Sequence, residues 1–429
     1  MNIAIVGGGI AGLSFALSLQ QRGFDCDVFE SVMDVKEIGV GITLLPHAMR
    51  ELSALGVQAE LEAAGIENLE SVFYTQHGQY VYKEPRGRHA GYTLPEIGIH
   101  RGKLHRILFE AAVKRLGKEK VHTGMRCTAF SQDKDGVQIE FFNAHTQTAE
   151  THTAQIAVAC DGVNSIIRKQ MHPQDQLCFA GINTWRGVTV HPPILTGKSY
   201  LRIGTVETGK MVIYPIIDNV DGKGNQLINW VAELQKPNAV MNDWNRSGDP
   251  AVCAEIYKDW HFDFLDVPEL IMKAEKVFEY PMVDKDALPF WTQGRVTLMG
   301  DAAHPMYPRG SNGSAQALID ARTLAEQLSQ HTDPQEALKA YEGLRLAPTA
   351  KVVETNRSVP PDFIIMKADE LSGGKPFRHI DDLISQDELR QISDHYKTVA
   401  GFALTKRMGE VPAMTGDSFK ADFSSRARN

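Results

Sequence analysis

The chain reads as an α/β protein: a Rossmann-like nucleotide-binding domain carrying an inserted, mostly antiparallel β-sheet domain. Three stretches predict this. Met1 to Glu30 forms a strand–helix–strand unit, and Gly294 to Leu328 repeats the strand–loop–helix theme late in the chain. Between them, Gly181 to Glu233 is rich in Trp, Tyr, Val and Ile and is broken by turns such as DNVDGKGN, the pattern of an antiparallel sheet able to roof a cleft.

The N-terminal unit is the most specific of the three. Ile3 to Val6 is a short apolar strand that runs into Gly7-Gly8-Gly9, and a helical pattern follows from Ile10 to Gln21 before a second strand, Cys26 to Phe29. Gly7 permits the tight turn, Gly9 lets backbone approach a pyrophosphate, and Gly12 lets helix lie on strand. The phosphates then meet the free N–H groups and positive end of the helix. Ala11 lies in the same first turn. Glu30, ending the second strand, is placed to accept hydrogen bonds from an adenosine ribose, which favours FAD or NAD over NADP.

Composition narrows the partners. With 429 residues the chain has room for two or three domains and a large core. A net charge of −8 gives no general attraction to nucleic acid or to an anionic membrane, so a small molecule is the expected partner. Cys26, Cys127, Cys160, Cys178 and Cys253 are scattered without a C-x-x-C pair, which argues against a disulfide scaffold or zinc site and for a reducing cytoplasm. The uncharged run Ile3 to Gln21 has four glycines and no preceding basic residue, so it is neither signal peptide nor membrane span.

After Glu30, Gly39 and Gly41 flank an extended stretch, and Pro46 opens a helix with Met49, Leu52 and Leu55 on one face. Ser71 to Val81 and Gly91 to Ile97 are expected strands of the inserted sheet. Arg101 sits at the start of the amphipathic helix read within Ile99 to Gly117. Val121 to Phe130 and Val137 to Phe142 are expected to form a hairpin across DKDG. Ile156 to Cys160 is a buried strand ending in Asp161-Gly162, with Ser165 and Arg168 beyond. Helices are expected around Ala251 to Trp260, from Tyr341 to Asn356 and from Gln386 to Ala400, with a strand at Val277 to Tyr280 and a break at Pro360-Pro361. In the second pillar, Val296 to Met299 delivers Gly300-Asp301, a loop follows, and a helix starts near Ser314. Asp301 is placed for a ribityl hydroxyl, and the loop Pro308 to Gly313 for holding a flat ring by backbone contacts.

Taken in order, these stretches resemble the single-component (class A) FAD-dependent aromatic hydroxylases, the family built like p-hydroxybenzoate hydroxylase. Gly7, Gly9, Gly12 and Glu30 match its dinucleotide fingerprint. Asp161-Gly162 with Arg168 matches its Asp-Gly motif, associated with FAD and NAD(P)H, and Gly300-Asp301 through Pro305 matches the Gly-Asp motif that holds the FAD ribityl and pyrophosphate. Arg101 falls where the family places an FAD-binding arginine. The similarity runs from Met1 to about Asn356. The loop MYPRGSNGSAQALIDAR and the later GGKPFRHIDDLISQDELRQISDHYKTVAGF look most like the phenazine-modifying branch, although Ala315 stands where many members carry Asn.

The resemblance implies a p-hydroxybenzoate hydroxylase-like architecture. Residues 1–70, 98–178 and 280–366 would bind FAD, residues 71–97 and 179–279 would form the substrate sheet, and 367–429 would be a helical extension and tail. It implies NAD(P)H as a transient co-substrate, O2 as oxidant, and oxygen transfer to an aromatic or heteroaromatic carbon through a flavin C4a-hydroperoxide, in a monomer or homodimer. The expected cofactor contacts are Gly7, Gly9, Ala11, Gly12, Glu30, Gly41, Arg101, Asp161, Gly162, Asp301, Gly310, Ser311, Asn312 and Gly313. No side chain is assigned a firm catalytic role; Pro308 and Arg309 are candidates beside the ring. Trp185, Met211, Tyr214, Trp230 and Pro305 are candidates to line the substrate cavity or to be core residues, Arg202 to bind a substrate carboxylate or to be a surface charge, and His304 to be an acid–base group or a hydrogen-bonded loop residue. Two rival readings use the same FAD pillars: a flavin-dependent dehydrogenase of a non-aromatic substrate, and a redox-sensing flavoprotein without enzymatic activity.

Overall fold

The computed structural model describes residues 1–34, 39–236, 246–358, 362–399 and 403. Strand β1 (Asn2–Val6) leads into helix α1 (Ile10–Gln20) and strand β2 (Asp25–Glu30). Among the described residues, β1 sits inside a six-stranded sheet, flanked in parallel by β2 on one side and Ile156–Ala159 on the other. Val296–Leu298 extends the sheet beyond Ile156–Ala159, and Val121–Thr123 extends it beyond β2. Ile3 to Val6 and Ile156 to Ala159 are buried throughout, as a central parallel strand covered on both faces requires. Helix α1 is buried nearly all round, because it is wedged between this sheet and the helices Gly313–Gln330 and Arg101–Leu116.

A second sheet of eight strands holds Leu177–His191, Gln226–Gln235, Gly209–Ile217 and Ser199–Thr205 at its centre, with Glu70–Tyr74 and Tyr80–Pro85 at one end. Its two faces are covered differently. Trp185, Leu201, Ile203, Met211, Ile213, Trp230 and Ala232 pack with Cys253, Tyr257 and Leu270 from the two short helices beyond. Alternation sends Arg186, Tyr200, Arg202, Val212, Tyr214, Asn229 and Val231 to the other face, towards the nucleotide-binding domain.

The two domains meet where strand β3 (Gly41–Leu44), which leads into helix α2 (Pro46–Ala54), and its partner Ile97–His100 lie against the eight-stranded sheet. The Gly41 N–H donates to Asn229 Oδ1 at 2.6 Å, and a Cβ at position 41 would lie 2.7 Å from that asparagine side chain. Only glycine lets the β3 backbone come this close to the asparagine side chain.

Several elements differ from the sequence reading. Gly91 to Pro95 is not a strand, and Ile97–His100 pairs with β3 in a separate small sheet rather than with the inserted one. The expected hairpin is a three-stranded meander, because Thr148–Ala154 adds a third strand; its exposed, polar run carries no apolar alternation to announce it. The helix expected from Tyr341 starts at Pro334 and runs to Ser358 with Pro348 inside it, and Phe363–Ser372 forms a further helix. Pro360-Pro361 lies outside the described residues.

The C-terminal helices cover the edge of the eight-stranded sheet. Ile364, Ile365 and Leu389 pack on Phe73 and Val81. Glu84 Oε2 there accepts from Ser393 Oγ at 2.6 Å and from Lys397 Nζ at 2.7 Å, while Arg86 bridges Glu84 and Glu96.

Arg168 is wholly buried and is a tie rather than a ligand group. It grips Asp175 through Nε and Nη2 at 2.8 and 2.7 Å and donates through Nη1 to the carbonyls of Ala302 and Ala303 at 3.1 and 2.7 Å. Arg168→Met should therefore lower unfolding free energy by about 3 kcal/mol, since it leaves two buried carbonyls unpaired and Asp175 with Lys285 alone. Urea titration of the purified protein measures this, and an unchanged midpoint would contradict the role.

Candidate flavin and substrate site

Two glycine turns at strand ends face each other. Gly7 has φ +109°, and a Cβ there would lie 2.4 Å from the Cys160 carbonyl oxygen, while one on Gly12 would lie 2.0 Å from the Gly7 carbonyl oxygen. At Gly9, by contrast, a Cβ would meet nothing within 4 Å. The first turn is thus closed towards the sheet and open in front of α1, the shape needed for a pyrophosphate on a helix N-terminus. Glu30 Oε2 accepts from the Gly8 N–H at 2.8 Å and Oε1 from the Val32 N–H at 2.8 Å, which fixes the carboxylate at the strand end. His105, which the sequence reading did not single out, donates to the Gly8 carbonyl at 2.6 Å from the helix Arg101–Leu116.

The second turn, Gly300–Ala302, presents Asp301 to solvent. A Cβ on Gly300 would lie 2.9 Å from the Ala11 Cβ, so the two turns touch at Ala11. A buried carboxylate holds the second turn in place. Asp320 Oδ2 accepts from the Gly300 N–H at 3.1 Å and from His304 Nε2 at 2.5 Å, and Asp320 Oδ1 accepts from Arg345 Nε at 2.7 Å. Burial pushes this carboxyl up, but the His304 and Arg345 charges and hydrogen bonds overcome that and hold it below the ordinary carboxylate range. His304 is therefore bound into the support of the turn.

The network continues into the flavin loop. Arg345 Nη2 donates to Gln316 Oε1 at 2.6 Å, Gln316 Nε2 to Asn312 Oδ1 at 3.2 Å, and His47 Nε2 to the same oxygen at 2.9 Å. Asn312, 1% exposed, is thus a strut and not a free contact. Ser311 has φ +55°, which turns the loop just before the helix Gly313–Gln330. Pro308 is exposed and Arg309 half-buried, and the Arg309 charge helps to hold the Asp362 carboxyl low, after burial (which raises it) and Lys210.

Asp161 is largely consumed locally: Oδ2 accepts from the Ile166 N–H at 2.9 Å, while Oδ1 is buried without a partner among the described residues. Burial raises this carboxyl against those hydrogen bonds. Gly162, with a left-handed backbone, leaves open space beside it. Arg101 opens its helix and is exposed, its N–H bonded to the Val40 carbonyl at 3.0 Å. Open space at Gly9, a solvent-facing Asp301, the orphaned Asp161 oxygen and the backbone-lined loop fit an extended dinucleotide with a flat ring.

Of the expected substrate residues, Tyr214 and Arg202 are on the sheet face turned to this loop. Tyr200 and Tyr214 stack with centroids 4.9 Å apart, and the Arg202 guanidinium lies 4.5 Å over Tyr200 and donates to Ser71 Oγ at 2.7 Å. Burial, then Tyr200, raises the Tyr214 hydroxyl, so it remains a donor. Of the two roles open to Trp185, Met211 and Trp230, the structure shows the core one. They point to the opposite face and are core, because the helices Pro250–Ile256 and Val267–Met272 claim that side. Pro305 is buried in the stretch after the second turn. Asn229, Arg186 and Tyr280 were missed; one residue of strand register separates Arg186 from Trp185, and the sequence does not say which face is lined.

These features define a flavoprotein of the FAD-binding hydroxylase type. Residues 1–356 match the model of the FAD binding domain family, and the chain belongs to that family. It is 37% identical over 366 residues to the phenazine 1,6-dicarboxylic acid hydroxylase PhzS of Lysobacter antibioticus, covering 83% of this chain and 89% of that one. It is 29% identical to 3-hydroxybenzoate 6-hydroxylase 1 of Aquipseudomonas alcaligenes, with 85% and 89% covered. Among solved structures, Klebsiella pneumoniae HpxO complexed with FAD and uric acid superposes with a TM-score of 0.72 at 21% identity, covering 94% of this chain and 95% of that one. The chain is an FAD-dependent monooxygenase of the aromatic hydroxylase class, and the dehydrogenase and redox-sensor readings fall away. Among the described residues, no helix is long and apolar enough to cross a membrane.

Gly9→Val should cost the apoprotein no more than about 1 kcal/mol, for the loss of a glycine N-cap, yet leave it unable to retain FAD, because the added methyls fill the open side of the turn. Thermal melting and flavin absorbance check the two halves separately. His47 supplies a pH prediction. Burial lowers its imidazole to about 4, opposed by Asn312, against 6.5 ordinarily. A depressed folded value contributes stability above the ordinary value, which is lost as pH falls towards about 4, amounting to about 3 kcal/mol. His47→Gln should flatten that part of the stability curve, and a slope equal to the parent's would contradict it.

Proposed function

We propose that the enzyme hydroxylates a planar, electron-rich aromatic or heteroaromatic molecule of the phenazine kind, with NAD(P)H as reductant and O2 as oxidant. The observation that carries this reading is the sheet face opposite the flavin loop, where the Tyr200–Tyr214 stack, Val212 and Val231 offer a flat apolar wall edged by Asn229. The PhzS relative supports the ring system.

Bound FAD supplies the redox and oxygen-transfer chemistry. The chain's part is to bind, orient and exclude water. Gly7, Gly9, Ala11, Gly12 and Glu30 take the adenosine end and pyrophosphate, and Arg101, Asp161, Gly162 and Asp301 the middle of the cofactor. Gly41 and the stretch Gly310 to Gly313 border the ring. The free N–H groups at the start of the helix Gly313–Gln330 are suited to stabilise negative charge on a reduced ring. Tyr214 donates from its protonated hydroxyl to an oxygen of the substrate, and Arg309 sets the charge beside Asp362 and Lys210.

We assign residues 1–70, 98–178 and 280–366 to FAD binding and 71–97 and 179–279 to the substrate sheet. Five unpaired cysteines suit a cytoplasmic enzyme, as a monomer or homodimer.

A panel of aromatic and heteroaromatic compounds, with NADH and NADPH in turn and product masses recorded, tests the reading. The expected result is stimulated NAD(P)H oxidation by a planar bicyclic or tricyclic compound, with one oxygen atom gained or a carboxyl replaced. Hydrogen peroxide release with every aromatic, alongside fast turnover with an artificial electron acceptor, would overturn it.

A further inference from the structure

We propose that Asp362, at the head of the helix Phe363–Ser372, is the counter-charge of Arg309 in the flavin loop and so sets how readily the bound flavin accepts electrons. This rests on the reading above in which Gly310 to Gly313 border the ring, and it makes a residue from the far end of the chain part of the redox site.

Arg309 is half-buried in the loop that precedes the helix Gly313–Gln330, and its Nε is buried with no hydrogen-bond partner among the described residues. Two arginines that brace the same stretch from below are answered at close range. Arg345 pairs with Asp320 at 2.7 Å, and Arg357 pairs with Asp284 at 2.7 Å and Asp286 at 2.8 Å. A cationic group drawn into the interior needs a negative charge near it, or it costs several kcal/mol.

Asp362 is placed to give that charge. It is 2% exposed and stands at the N-cap of its helix, yet its carboxylate makes no capping hydrogen bond. Ile364 and Ile365 of the same helix dock on Phe73 and Val81, which fixes where the carboxylate lies. Its Oδ2 is 3.2 Å from Lys210 Nζ, and Lys210 in turn pairs at 2.8 Å with Glu233, its register partner on the sheet. Lys210 and Glu233 cancel, so the Asp362 charge is left over for Arg309, and the four groups together sum to zero. Burial pushes the Asp362 carboxyl up, but the charges of Lys210 and then Arg309 overcome that and hold it below its ordinary range.

The consequence is electrostatic. A positive charge in the loop favours reduced flavin, which carries more negative charge than oxidised flavin, and a carboxylate behind that charge takes part of the benefit away. Removing the carboxylate while keeping Arg309 should therefore make the flavin easier to reduce, and removing Arg309 should make it harder.

The test is the two-electron reduction potential of FAD on the full chain, read by equilibration with a reference dye and without substrate. Asp362→Asn should shift that equilibrium about 10-fold towards reduced flavin, which is about 30 mV, and Arg309→Gln should shift it the other way. Added to Arg309→Gln, the same Asp362→Asn change should move it less than about threefold, and Asp362→Glu should stay within about threefold of the parent. An unmoved potential in Asp362→Asn, or a shift as large without Arg309 as with it, would overturn the proposal; a melting temperature that falls while the potential holds would make Asp362 structural only. Should Asp362→Asn not retain FAD, the double variant decides: recovered FAD supports the charge pairing, and a protein still empty overturns it. If Arg309→Gln leaves the potential where it was, the assignment of the loop to the ring falls as well; if Arg309→Gln moves it and Asp362→Asn does not, only the counter-charge falls.

Discussion

The buried Asp320 carboxylate is the constraint on which the rest of the cofactor site depends. It receives the Gly300 N–H, His304 and Arg345 at once, and so ties the end of a central strand, the stretch after it and a distant helix to one point. Through Arg345, Gln316 and Asn312 the same point reaches His47 at the start of α2. Such a network is worth having only when complete, because a charged group left unpaired in this interior costs several kcal/mol. The loop from Pro308 to Gly313 is therefore positioned by polar groups beneath it.

The two domains are registered by a tighter device. Gly41 donates to Asn229 across 188 residues of sequence, at a spot where any side chain would collide. The distance between the flavin loop and the sheet face thus follows from a backbone-to-amide bond, which is stiffer than apolar packing. Tyr214 and Tyr200 stack on that face beside the joint, so their rings keep a set distance from it.

Much of the cofactor half was legible in the sequence, because its chemistry is local. Gly7, Gly9, Gly12 and Glu30 lie in one strand–helix–strand unit, and Gly300-Asp301 repeats it. The supports were not legible. His105, His47 and Asp320 act across the fold, and each reads in isolation as an ordinary polar residue of a helix. In the substrate half, alternation marks two faces for every strand but not which face carries a layer of helices. That ambiguity left Trp185, Met211 and Trp230 open between cavity and core and left out Arg186 and Asn229, the neighbours of Trp185 and Trp230. Arg168 shows the converse: a motif residue whose position was right and whose work is structural.

The belt of charge at the sheet edge bears on how the chain comes off the ribosome. Glu84 emerges 309 residues before Ser393, its hydrogen-bond partner. Until the helix Gln386–Val399 is made, the outer strand Tyr80–Pro85 has a bare hydrogen-bonding rim and a carboxylate answered by Arg86 alone, a state open to pairing with a neighbouring nascent chain. The charge that later locks the helix down also keeps that rim hydrated and repels a like strand while translation is under way.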